Sequence, residues 1–206
     1  MKKQLLIVVL IFSAMFYSCG NKKTENSERD FKRMIVEYQT TSDIMGSKIV
    51  ENETAWYDQK NNREAHLVKK TTTFMGVTEN EETYTITDGE WSYYIDLKEK
   101  TGTKTNVKDM QEMAGLFAKM SDIDDLKNMK EAVEKFGGKM LENENFLGKN
   151  CAVMEMMGTK SWIYKGILLK SEMGGKIIKE AVKVDERASI PDKVFEVPSG
   201  VTMSEI

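Results

Sequence analysis

Phe31-Lys32-Arg33-Met34-Ile35-Val36-Glu37-Tyr38-Gln39-Thr40 is the stretch whose reading decides the fold. Met34, Val36, Tyr38 and Thr40 fall on one side of an extended chain, and Arg33, Glu37 and Gln39 fall largely on the other. That is the period of two expected of a sheet with one covered and one wet face. Downstream, the segment 43–47 holds Gly46 and turns the chain. A second strand follows over 48–57, with Val50, Thr54 and Trp56 alternating against Glu51 and Glu53. The turn at 58–62 leads to a third strand over 64–73. Phe74-Met75-Gly76-Val77 interrupts it, and strand pattern resumes over 82–87. Asp88-Gly89 is a strong hairpin signal, after which Trp91, Tyr93, Ile95 and Leu97 alternate with Ser92 and Asp96. The threonine-rich segment 98–105 reads as one more strand. Short turns between long strands predict a meander.

From 107 to 137 the period lengthens. Met110, Met113, Ala114, Phe117 and Met120 recur at helical spacing, as do Ile123, Leu126, Met129, Val133 and Phe136, and Gly137-Gly138 stops the pattern. Strand patterns then return over 139–144, 149–157, 161–164, 167–173 and 176–186, and Pro191 and Pro198 pin the end. An amphipathic helix must cover its apolar stripe, and the sheet is the large partner on offer. The expected fold class is therefore α+β, mainly β: a curved antiparallel sheet or incomplete β-barrel, covered on its concave face by a helical insertion over about 107–137.

The N-terminal segment sets the cellular address. Lys2-Lys3, an apolar run from Leu5 to Phe12, small residues at Ser13, Ala14 and Ser18, and then Cys19 follow the three-part order of an export signal. The run is shorter than the roughly 20 apolar residues that a membrane span requires. It resembles a bacterial lipoprotein signal, and that resemblance implies cleavage before Cys19 and lipidation of its thiol. Residues 1–18 are thus expected to be a signal peptide, and 19–30 the lipidated cysteine and a tether. Gly20 to Asp30 has no large apolar residue with which to offset its chain entropy; as a flexible coil it spans on the order of 20 Å. Residues 31–206 form one expected domain, a length that supports a sizeable core. Without Lys2 and Lys3 the chain carries 28 basic against 33 acidic residues, a net charge of −5. Mild acidity gives no support for nucleic-acid binding, which wants a clustered basic face.

Strands, a helical insertion and strands again, on an exported chain, resemble the LolA/LolB-like lipoprotein-localisation fold. The segments Phe146–Val153, Ser161–Lys170 and Ser189–Pro198 further resemble the C-terminal part of small uncharacterised lipoproteins of Bacteroidetes-type bacteria. The resemblance implies an acyl-chain site between sheet and helices, and an outer-membrane address in the bacterial envelope. Tyr38, Trp56, Trp91 and Tyr93 on the sheet, with Met110, Met113, Phe117 and Met120 on the helices, are the candidate lining of such an apolar cleft; methionine adapts to ligands of varied shape. The expected partners are the membrane, through Cys19, and a lipid or lipoprotein acyl chain. The second reading is an envelope scaffold or protein-interaction module with a packed core and no ligand.

Catalysis has little to build on. His66 is the single histidine, placed mid-strand between Ala65 and Leu67, and reads as a strand-surface imidazole. Once Cys19 is lipidated, Cys151 is the only thiol left and reads as a small buried hydrophobe. One histidine and one cysteine cannot supply the three protein ligands of a zinc site without help. Asp122, Asp124 and Asp125 suit a helix N-terminus, and Gly148-Lys149 lacks the rest of a phosphate-binding loop. No enzyme, metal or cofactor is expected.

Overall fold

A computed structural model of the 206-residue chain describes residues 31–107, 130, 133–134 and 137–205. Their elements in chain order are β1 (Arg33–Ile44), β2 (Ser47–Asp58), β3 (Arg63–Phe74), β4 (Val77–Thr87), β5 (Trp91–Asp96), β6 (Thr101–Asn106), β7 (Lys139–Phe146), β8 (Lys149–Met156), β9 (Thr159–Tyr164), β10 (Ile167–Met173), β11 (Lys176–Asp185) and β12 (Thr202–Glu205). Two 3-10 turns, Gln59–Asn61 and Asp192–Phe195, complete them. All twelve strands belong to one open sheet of order β12-β6-β5-β4-β3-β2-β1-β11-β10-β9-β8-β7. Neighbours are antiparallel except β12, which runs parallel to β6. The predicted meander is present, with β4 starting at Val77 directly after the β3 turn rather than at residue 82.

The α+β expectation is corrected. Among the described residues the protein is nearly all β, with no helix of seven or more residues and no helical insertion covering the sheet. Most of the expected insertion, including Met110, Met113, Phe117 and Met120, lies outside the described residues. Its end is visible: Gly138 N–H donates to the Val133 carbonyl at 2.8 Å, and Gly137 N–H to the Glu134 carbonyl at 3.0 Å. This is the paired bonding of a Schellman stop, with Gly137 at φ +73°. Val133 there packs with Met154 and Ile163.

Both faces of the sheet are covered by other means. Met34, Val36, Tyr38 and Ala55 pack with Cys151, Val153, Trp162, Ile167, Leu169 and Ala181 in one core. Cross-strand pairing puts Ile35, Trp56, Ala65, Ile86 and Tyr93 on the opposite face. There Ile190 and Phe195, from the segment after β11, close a second core. Lys149 at the start of β8 pairs with Glu186 just past β11, across three strand steps that would span about 14 Å on a flat sheet. The sheet is therefore curved at this end, and curvature lets it cover part of its own apolar face.

The C-terminal strap is held by charge. Asp58, at the end of β2, is fully enclosed and accepts from Arg33 at 3.0 Å, Arg63 at 2.8 Å and Asn61 Nδ2 at 2.8 Å. Both arginines also reach Asp192, Arg33 donates to the Ile190 carbonyl at 2.6 Å, and the Arg63 guanidinium lies 4.5 Å from the Phe195 ring centroid. Burial works to raise the Asp58 carboxyl, yet the bonds from Arg63 and Asn61 bring it down to about 2. Removing one partner from such a cluster leaves charge without compensation. Asp58→Ala should therefore cost about 3 kcal/mol, read as a lower urea midpoint at unchanged slope. Asp192→Ala, at an exposed partner, should cost at most about 1 kcal/mol.

Candidate functional site

The sheet divides at the middle of β1. β1 and β11 pair only from Ile35↔Asp185 to Tyr38↔Ala181, with a bulge that leaves Val182 of β11 without a partner opposite. Beyond that bulge Gln39–Ile44 pairs with β2 alone, and Lys176–Glu180 pairs with β10 alone. Among the described residues, neither has a strand neighbour on its other edge. The result is a fork with two unpaired strand edges. Its mouth carries exposed apolar side chains: Ile44, Met45, Ile177 and Ile178.

Its floor is polar and tightly bonded. Glu53 of β2, whose side chain is 5% exposed, accepts from Lys179 of β11 at 2.6 Å and meets His66 Nδ1 of β3 at 2.8 Å. The Lys179 ammonium also lies 4.2 Å from the Tyr38 ring centroid, and the Tyr38 hydroxyl donates to the Leu168 carbonyl at 2.8 Å. Burial tends to raise the Glu53 carboxyl, but the Lys179 charge and the His66 bond outweigh it and hold the group at about 2. Burial, with the Glu53 charge second, pushes the Tyr38 phenol far above its ordinary range. Glu51, on the same side of β2, is pushed up by burial and by the neighbouring Glu53 charge. Two carboxylates thus share the fork with one lysine bound to the deeper of them.

Among the described residues His66 meets no nucleophile. Activation of a nucleophile by histidine requires a hydroxyl or thiol at the second ring nitrogen. His66 Nε2 is buried and has no hydrogen-bond partner. Among the described residues there is no group of three or more side chains suited to a metal. Cys151 is buried and free, and burial raises its thiol.

Of the residues expected to line one apolar cleft, the four described ones, Tyr38, Trp56, Trp91 and Tyr93, are not brought together. Tyr38 belongs to the core on the fork side. Trp56 and Tyr93 share the opposite face, where Trp56 meets Tyr84 edge-on at 6.2 Å. Trp91 is half-buried beneath the Lys104 ammonium, 4.5 Å from its ring centroid. Cys19, Met110, Met113, Phe117 and Met120 lie outside the described residues. Two shallow hollows sit elsewhere, one around Asn143, Ile163 and Tyr164 and one around Gly137 and Glu155. His66 is corrected from a surface imidazole to a floor residue whose side chain is 17% exposed. Glu53 is corrected from the wet face to a nearly enclosed one. Its place two residues before Ala55 was the only local signal, because its cation comes from the far end of the chain.

No protein-family model matches the sequence, and no curated protein does. Among solved structures, an uncharacterised conserved protein from Thermus thermophilus is similar, with a TM-score of 0.50 and 7% identity over 87% of this chain and 94% of that one. At that identity the likeness shows the fold alone. Two crystal forms of PNGF-II match 84% and 85% of this chain at 15% and 14% identity. Their TM-scores are 0.32 and 0.35, and the matched part is 31% and 32% of PNGF-II, which carries no argument. Neither neighbour links the chain to the LolA/LolB fold.

The depressed Glu53 carboxyl has a signed consequence. Its folded value of about 2 lies below the unfolded value near 4.3. The contribution is therefore present above about pH 4.3 and is lost as pH falls toward 2. It amounts to about 3 kcal/mol at neutral pH. Subtracting the stability curve of Glu53→Gln from that of the natural chain should isolate this loss, with a difference that is large at pH 7 and shrinks through this window. A difference independent of pH would show that Lys179 and His66 do not hold Glu53.

Proposed function

We propose that the chain is a lipid-anchored protein of the bacterial envelope, fixed through Cys19, that works as a protein-interaction module with a packed interior. The observation that carries this reading is the fork. Of the described residues first suited to a ligand, Tyr38 packs in one core and Trp56 and Tyr93 in another on the opposite face, whereas an extended edge of β1 has no strand neighbour among the described residues. Gln39-Thr40-Thr41-Ser42-Asp43-Ile44 contains no lysine and no proline, the residues that commonly protect exposed edges from pairing. Such an edge accepts an extended segment of another protein through backbone hydrogen bonds. The facing edge of β11 is lysine-flanked, at Lys176 and Lys179, which makes β1 the docking side. An acyl chain held between sheet and helices is the weaker reading, since the sheet side of that cleft is divided.

Two experiments in cells address the anchor and the edge separately. Labelled palmitate should enter the natural chain and not Cys19→Ala. A photo-crosslinking residue at Thr40 should yield one protein adduct in near-stoichiometric amount. Thr41→Lys should abolish that adduct while shifting stability by less than about 0.5 kcal/mol, as for an ordinary surface change. An adduct to lipid alone, or a protein adduct indifferent to Thr41→Lys, would contradict docking at the edge.

A further inference from the structure

Three turns at one end of the sheet are built on methionine. Met45-Gly46 joins β1 to β2, Met75-Gly76 joins β3 to β4, and Met157-Gly158 joins β8 to β9. Both central residues of each have positive φ: 50° and 79°, 50° and 80°, and 51° and 76°. That is the signature of type I′ hairpins, which favour Asn-Gly, Asp-Gly or Gly-Gly. A longer side chain in the left-handed region is disfavoured. The three methionines are nonetheless 96%, 85% and 75% exposed. Backbone preference and hydrophobicity therefore both oppose methionine at these positions in a chain surrounded only by water. The antiparallel order β4-β3-β2-β1-β11-β10-β9-β8 puts all three turns at the same end. Ile44, Phe74 and Val77 beside them are exposed as well.

The form of this surface selects its occupant. Met45 and Met75 sit on neighbouring hairpins with Ile44, Phe74 and Val77 exposed beside them, and Met157 stands on a hairpin several strands further along the same end. A row of projecting tips spread along a sheet end lacks the close-packed, matched surface of a protein interface. A fluid hydrocarbon layer closes around each tip without matching. Chain length also allows it. At full stretch, about twice its coil span, the chain from Cys19 to Phe31 reaches at most about 40 Å, which matches the rise of about 40 Å along β1, whose start lies at the opposite end. A tether drawn along the domain thus lets the lipid on Cys19 and the tips share one bilayer; this clause rests on the lipid-anchor reading.

We propose that the Met45, Met75 and Met157 turns dip into a lipid bilayer, giving the protein a second, reversible membrane contact besides Cys19. The test uses the mature polypeptide from Gly20, which keeps every described strand and carries no acyl chain, so that failure of lipidation at Cys19 does not affect it. It should co-sediment with neutral phosphatidylcholine vesicles. The triple change Met45→Asn, Met75→Asn and Met157→Asn should lower the partition coefficient at least tenfold. Its unfolding midpoint should hold or rise, since Asn-Gly suits these turns. The proposal is overturned if the natural tips do not partition, or if the asparagine tips partition equally well. It is also overturned if the triple change removes a protein adduct in cells while vesicle binding is absent throughout, which would assign the tips to a protein.

Discussion

The joining of β1–β6 to β7–β11 depends on a short seam. Four positions of β1, Ile35 to Tyr38, pair with β11, while β12 returns to pair with β6 at the far edge of the sheet. Lys183 to Glu37 at 2.7 Å adds an exposed ion pair between residues 146 apart. Long-range pairing of this kind must recover the entropy of closing a very large loop. The seam is accordingly placed where burial is greatest, with Met34, Val36, Tyr38 and Ala181 all enclosed. Where burial ends, pairing ends, and the sheet forks.

The polar floor follows from the same geometry. As the two edges part, Tyr38 and Glu53 would be left between a closed core and an open mouth. Lys179 crosses the gap, bonding Glu53 and covering the Tyr38 ring. Removing a buried carboxylate's cation is strongly destabilising, although such a pair is weak evidence for net stability. Its role is best understood as fixing where the fork begins. At the other end of the sheet the Asp58 cluster does a comparable task, holding the strap of Ile190 to Phe195 over the second core.

Much of the strand order was legible because it is written in a period of two and in glycine turns. Met34, Val36 and Tyr38 do share a face, Trp91 and Tyr93 do lie along one side of β5, and the Gly137-Gly138 stop is present. Beyond local pattern, legibility failed. Alternation says that two faces exist, but not that Tyr38 and Trp56 occupy opposite ones, since this depends on the register of β1 against β2. Glu53 and His66 looked solvent-facing because their partners come from other strands. The parallel strand β12 is too short to announce itself, and the strap gives no sign in sequence of covering the sheet. Those features filled the role that the sequence suggested for a helical lid.

Among the described residues β1 is paired on both edges from Ile35 to Tyr38 and on one edge beyond it. Backbone amide hydrogen exchange, resolved residue by residue, tests it most directly. Exchange should be slow through Ile35 to Tyr38, and alternately slow and fast along Gln39 to Ile44, as outward-facing amides meet solvent. A fast set should also occur along Lys176 to Glu180. Uniformly slow exchange from Ile35 to Ile44 in the isolated chain would mean that the edge is already paired, and would contradict the fork.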